Sequence, residues 1–244
     1  MSWKLMERRP HLFSIKKIII LAGVLILPGF CYYLLQEKGQ NRYKSLPIYG
    51  EKKLTGTFHS KRGQQIPDTA YHAIQPFDLL DTEGKRVTFD PDSGVSVVSF
   101  FYTGNQELAD AMQSAMQRVA TRFAKNRMVS LFSITVDPLH DKPDKLAAYR
   151  KKWGMFPHWE FLSIDSAAQV KAIAQRQFLL DVVYPPKPDL PIVHSSRIVL
   201  VDSQHRIRGY YDAIVNQEVD QLIDEVTLLL TEEYRNISVN QYGR

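Results

Sequence analysis

Val95-Ser96-Val97-Val98-Ser99-Phe100-Phe101-Tyr102-Thr103-Gly104-Asn105-Gln106-Glu107-Leu108-Ala109-Asp110 is the stretch on which the fold turns. Its first eight residues are almost wholly apolar, β-branched or aromatic, as in a strand covered on both faces. Thr103-Gly104-Asn105 then breaks the run. From Gln106 to Phe123 the apolar residues Leu108, Met112, Met116, Val119, Ala120 and Phe123 recur at helical spacing. Asn105 stands where a helix N-cap belongs, since its side chain can accept from the free N–H groups of the first turn.

Further strand and helix signals flank this unit. Upstream, Phe77–Asp81 and Arg86–Phe89 alternate around the turn Thr82-Glu83-Gly84-Lys85, which predicts a hairpin. Downstream, Val129–Val136 reads as a second strand, and Pro143 opens a helix that carries Leu146, Tyr149 and Trp153. A short strand over Glu160–Ile164 and a helix over Ser166–Gln177 follow. A proline-rich loop then runs from Tyr184 to Pro191. Ile198–Asp202 and Ile207–Tyr211 form a closing hairpin, and a final amphipathic helix extends from about Asn216 to Tyr234. This order suits an α/β sandwich with parallel central strands and an antiparallel edge.

The chain has 244 residues and a net charge of +5. The basic excess is local. Residues 1–44 carry eight Lys/Arg against Glu7 and Glu37, so the other 200 residues sum to −1. That distribution argues against a phosphate-binding groove. Ile18 to Leu35 is an uncharged apolar run, long enough for a helix to cross a bilayer. Lys4, Arg8, Arg9, Lys16 and Lys17 precede it, which predicts a cytoplasmic N-terminus and an exported bulk. No small-x-small site follows the run, and Phe30 is bulky before Cys31, so an uncleaved anchor is expected rather than a cleaved or lipidated one. The organisation read from sequence is a basic segment (1–17), an anchor (18–35), a linker with at most one short strand (36–73), the α/β domain (74–235) and a tail (236–244). The location expected is the inner membrane, single-pass, with the domain on the periplasmic side.

Four stretches of the domain carry a resemblance: Val97–Thr103, Ser133–Pro143, His194 before a strand, and Val199–Asp202. Together they resemble the Sco/SenC proteins, membrane-anchored thioredoxin-fold factors of copper delivery and cytochrome c oxidase assembly. The Val136-Asp137-Pro138-Leu139-His140-Asp141-Lys142-Pro143 run is the most specific of them. The resemblance implies a thioredoxin-like sandwich with an N-terminal hairpin. It also places the family's Cys-x-x-x-Cys on Asn105 and Ala109, and the acidic residue before its metal-binding His on Val193. Of the implied copper ligands, His194 alone is present.

Cys31 is the only cysteine, and it falls within the apolar run. The domain therefore has no thiolate for metal binding or disulfide exchange. No nucleophile elbow, phosphate loop or zinc pattern is present either. The expectation is a non-enzymatic, membrane-anchored binding or assembly module whose partner is a membrane or periplasmic protein such as a respiratory complex subunit. No nucleic-acid partner is expected, and no cofactor. An alternative keeps copper, with His194 joined by the thioethers of Met112 and Met116. A thiol-redox role survives only if a partner supplies the cysteine. Asp137 and Asp141 are expected to turn the chain and cap the following helix. The proline-rich loop is either a docking segment or a rigid connector.

Overall fold

The computed structural model describes residues 15–38, 45–61, 64–90, 94–187 and 190–242. Residues 1–14 of the expected basic segment, 39–44, and Pro188 and Asp189 of the proline-rich loop lie outside them, as do the side chains of the tail. The chain divides into two units, Met1–Lys44 and Ser45–Arg244. The first contains α1 (Ile15–Lys38), a continuous helix with Pro28 inside it. Its side chains at Val24, Ile26, Leu27, Phe30, Tyr32 and Tyr33 are exposed. Among the described residues, no helix is long and apolar enough to cross a membrane.

Most of the expected linker is not a tether. Within the second unit, β1 (Lys52–Lys61) and β2 (Gln64–Tyr71) form an antiparallel ribbon, with a register shift between Leu54 and Phe58. Gly56, at φ +80°, lies in that irregular stretch, in a conformation that favours glycine. Polar residues occur on both faces of the ribbon and nearly every side chain is exposed. The alternation that marks a half-buried strand is therefore absent.

The expected hairpin is β3 (Phe77–Leu80) with β4 (Arg86–Phe89). The central sheet comprises β5 (Val95–Phe101), β6 (Val129–Thr135), β7 (Trp159–Leu162), β10 (Arg197–Val201) and β11 (Ile207–Asp212) in the order β11-β10-β5-β6-β7. β5, β6 and β7 are parallel, while β10 runs antiparallel to both β5 and β11. All seven residues of β5 are buried, as its unbroken apolar run predicts.

Alternate residues of β5 feed two cores. Val95, Val97 and Phe101 join one cluster with α2 (Gln106–Phe123), Leu146 of α3 (Pro143–Trp153) and α5 (Asn216–Tyr242). Val98 and Phe100 join the other, with Tyr102 just past the strand, Leu79, Phe89 and α4 (Ala167–Arg176). A fully buried side chain of this size contributes about 1.5–3 kcal/mol, so the two layers dominate the stability of the unit. Asn105 caps α2 as expected, accepting from Leu108 N–H at 3.3 Å.

Candidate binding cleft

The parallel strands β5 and β6 end at Phe101 and Thr135, and the loops beyond those ends converge. In open α/β sheets, ligands bind outside the carboxyl ends of parallel strands. Here a cleft of about 480 Å³ opens, lined by Tyr102, Asp137, Leu139, His140, Tyr184 and Ile192, with Gly104, Pro185, Pro186, Leu190 and Pro191 also on its walls.

The first wall is the turn after β5. Tyr102 is buried, and its ring lies so close to Gly104 that a Cβ there would sit 2.7 Å from it. Burial pushes the Tyr102 phenol up, and the negative charges of Asp137 and Asp141 act in the same direction.

The second wall follows β6. Asp141 is 1 % exposed, and its carboxylate accepts from Thr103 N–H at 2.9 Å, from Thr135 Oγ1 at 2.8 Å, from Lys145 Nζ at 3.0 Å and from Thr103 Oγ1. The expected capping role is therefore corrected for Asp141. The α3 N-cap is Lys142, without a side-chain bond, and Asp141 points inward because the Thr103 turn offers it two donors. Asp137 does shape its turn. Its carboxylate accepts from His140 N–H at 3.3 Å and lies 2.8 Å from His140 Nδ1.

The third wall is the proline-rich loop. It is closed at its base by β8 (Val182–Val183) pairing antiparallel with β9 (Val193–His194). Tyr184 Oη donates to Val136 O at 2.6 Å and so ties this loop to the end of β6. Burial, with Asp137 adding to it, holds the Tyr184 phenol up at about 12. Leu139 and Leu190 on this cleft are exposed at 69% and 48%, which adds apolar surface to its rim beside the exposed His140.

Of the residues assigned to a metal from sequence, the two methionines are core residues. Met112 and Met116 are both 0 % exposed and belong to the cluster between the sheet and α2. The His194 ring stands edge-on to Tyr102, centroids 5.6 Å apart, and Tyr102 belongs to the cluster on the other side of the sheet. The helical spacing that puts both thioethers on one face also turns that face into the core. His194 itself is more telling. Its Nδ1 donates to Ser195 O at 3.0 Å, which leaves the lone pair on Nε2. That Nε2 is buried with no hydrogen-bond partner. Burial also lowers the pKa of His194, outweighing the bond to Ser195, so the ring is neutral at pH 7. No group of three or more His, Cys, Asp or Glu that could hold a metal occurs among the described residues.

Residues 66–231 match the SCO1/SenC family profile. The chain belongs to the SCO1/SenC family. A Bacillus subtilis SCO1 protein homolog is 27% identical over 167 residues, covering 67% of this chain and 86% of its own. A SCO2-like protein of Rickettsia prowazekii is 26% identical over 220 residues, covering 86% of this chain and 96% of its own. Among solved structures, BsSco, a member of the Sco family of cytochrome c oxidase assembly proteins studied for its disulfide switch, superposes with a TM-score of 0.57 at 25% identity, covering 66% of this chain and 94% of its own. Copper-bound ScoI of Bradyrhizobium japonicum gives a TM-score of 0.53 at 22% identity, covering 65% of this chain and 99% of its own, a likeness of fold.

Sequence reasoning missed the cleft as such. Tyr102, Leu139, His140 and Ile192 gave no local signal, because nothing in their spacing foretells that loops 35 or more positions apart meet. The usable signs are the Val136–Pro143 run, which holds both acidic residues of the second wall, and the proline-rich loop from Tyr184 to Pro191, which the sequence offers as a docking segment or a rigid connector.

Proposed function

We propose that this SCO1/SenC protein is a membrane-tethered, non-redox module that binds another membrane or periplasmic protein through its cleft during assembly of a respiratory complex. One observation carries the reading. Asn105 and Ala109 stand at the positions that the resemblance gives to the cysteine pair, and each fits its place without a thiol. Asn105 caps α2, and Ala109 is 0 % exposed in the core. The cleft that begins at Gly104, next to Asn105, carries exposed apolar side chains at Leu139 and Leu190, the character of a protein-binding surface. The oxidase-assembly context comes from what BsSco is said to do. The tether is supported by the uncharged run Ile18–Leu35 within α1 and by the exposure of its described apolar side chains. Binding is a non-enzymatic role.

The test uses the full chain in its native membrane. A photo-crosslinking residue replaces Leu190, and the adducts are identified with and without Tyr184→Ala. The reading requires an adduct with a respiratory complex subunit or assembly factor that weakens in the Tyr184 variant. Adducts insensitive to that change would refute the cleft as the docking surface.

The buried, unpartnered Nε2 of His194 favours a second reading. The residues present supply one imidazole donor and do not by themselves compose a copper site. In this reading, copper would be shared with donors from a bound partner, and Cu(I) retention by the mixed complex but not by either protein alone is the required result.

A further inference from the structure

The pole of the sheet opposite the cleft is basic. Arg122, Lys125 and Arg127 line a depression of about 510 Å³ together with Asn126, Thr227 and Leu230, and no carboxylate lines it. All three cations are exposed. Among the described residues none of them enters an ion pair. Arg122 lies in the last turn of α2, where the helix dipole favours a cation. Lys125 and Arg127 lie beyond that turn, and the dipole gives no reason for them. Residues 45–244 together carry a charge of −1, so this cluster runs against the rest of the unit.

The same pole is where the chain enters the unit. Arg208, 3% exposed, donates through Nη2 to Leu46 O at 2.9 Å and through Nε to Pro47 O at 3.2 Å. Leu46 N–H donates to Glu232 Oε1 at 3.3 Å. The Leu46 side chain joins the apolar cluster that includes Phe123 and Leu230, both on the wall of the depression. Sheet register agrees. Val201, beside this clamp, pairs with Ser96 at the start of β5, and Val95 N–H bonds Met128 O of the depression. The cleft lies past the other end of β5.

Seven peptide steps separate Lys38, the end of α1, from Ser45. Fully extended, they span at most about 25 Å. The chain thus enters this unit at its basic pole, seven residues after the end of α1. We propose that Arg122, Lys125 and Arg127 dock on the anionic phospholipid headgroups of the membrane that anchors the chain, which turns the cleft away from the lipid toward an incoming partner. The inference rests on the proposed tether, because the tether is what favours a lipid surface over an acidic protein.

The test needs no anchor. Both apolar clusters lie wholly within Ser45–Arg244, so this unit carries its own core and serves as the probe protein. Its sedimentation is measured with phosphatidylcholine vesicles, with and without phosphatidylglycerol. Binding confined to the anionic vesicles and weakened by salt is the expected result. Each basic residue near such a surface is worth about fivefold in affinity, so the triple exchange R122E/K125E/R127E should lose roughly 100-fold or more. The milder triple R122Q/K125Q/R127Q should fall between it and the parent. Equal binding to neutral vesicles, binding untouched by the exchanges, or no binding at low salt would each overturn the proposal. The last outcome would point instead to an acidic protein. Alkaline extraction of membranes holding the full chain tests the tether separately, so failure of one reading is distinguishable from failure of the other.

Discussion

The carboxylate of Asp141 accepts the backbone N–H of Thr103 at 2.9 Å, across 38 positions of sequence. This bond links the turns that follow two adjacent parallel strands. It fixes the conformation of Thr103-Gly104-Asn105, the approach to the helix on which the family's chemistry sits in the resemblance. With no thiol in the domain, the clamp serves the shape of the cleft.

Asp141→Asn replaces one carboxylate oxygen by an amide NH₂ facing donors from Thr103, Thr135 and Lys145. Leaving buried donors unmatched and Lys145 without its counter-charge should cost about 3 kcal/mol. Lys145 is half exposed, so most of the loss belongs to the two threonines. Urea denaturation of residues 45–244 reads it as a lower midpoint with an unchanged slope. A loss below about 0.5 kcal/mol, the size of an ordinary surface substitution, would mean that Asp141 does not hold the turn.

Asn105→Ala removes the side-chain oxygen that accepts from Leu108 N–H and should cost about 1 kcal/mol, whereas Asn105→Ser should be close to neutral. The same denaturation experiment checks both. If alanine and serine behaved alike, Asn105 would not owe its place to capping.

His194 gives a pH signature. Its ring is held neutral in the folded chain, with its pKa pushed below the ordinary value of about 6.5 by burial. The unfolded chain therefore takes up a proton first as pH falls. Stability from this group is full above about pH 6.5 and declines as pH drops through the depressed folded value. His194→Gln should flatten that part of the stability profile of residues 45–244 while leaving the carboxylate-dependent loss at lower pH. An unchanged profile would place the His194 ring in contact with solvent.

Tyr184→Phe keeps the ring and deletes the hydroxyl that donates to Val136 O at 2.6 Å. The cost should be about 1 kcal/mol, with faster amide exchange confined to the proline-rich loop. Exchange raised evenly across the unit would argue that Tyr184 belongs to the general core and not to the loop's tie.

The order of strands and helices was readable because each buried element carries its own period. β5 is apolar throughout, α2 repeats every three to four residues, and the Asn105 cap lies where the pattern changes. The β1–β2 ribbon was not readable, since a ribbon that stands apart from the core needs no apolar face. Asp141 departs from the expected capping role for a related reason. Beside Pro143 an aspartate resembles a cap, and only the distant Thr103 shows that it faces inward. The spacing of Met112 and Met116 puts them on one helix face, and that face turns into the core, which helical spacing alone does not tell. The cleft depends on three loops that meet only after folding, so no local pattern announces it.

Cu(I) titration of residues 45–244 against a competing chelator tests the central claim most directly, beside His194→Ala and the double variant Asn105→Cys/Ala109→Cys. A non-redox binding module predicts no stoichiometric Cu(I) retention by the parent, and a gain of retention when the two thiols are supplied at positions 105 and 109. Stoichiometric retention by the parent, lost in His194→Ala, would contradict the account and return this chain to copper chemistry with a ligand set of its own.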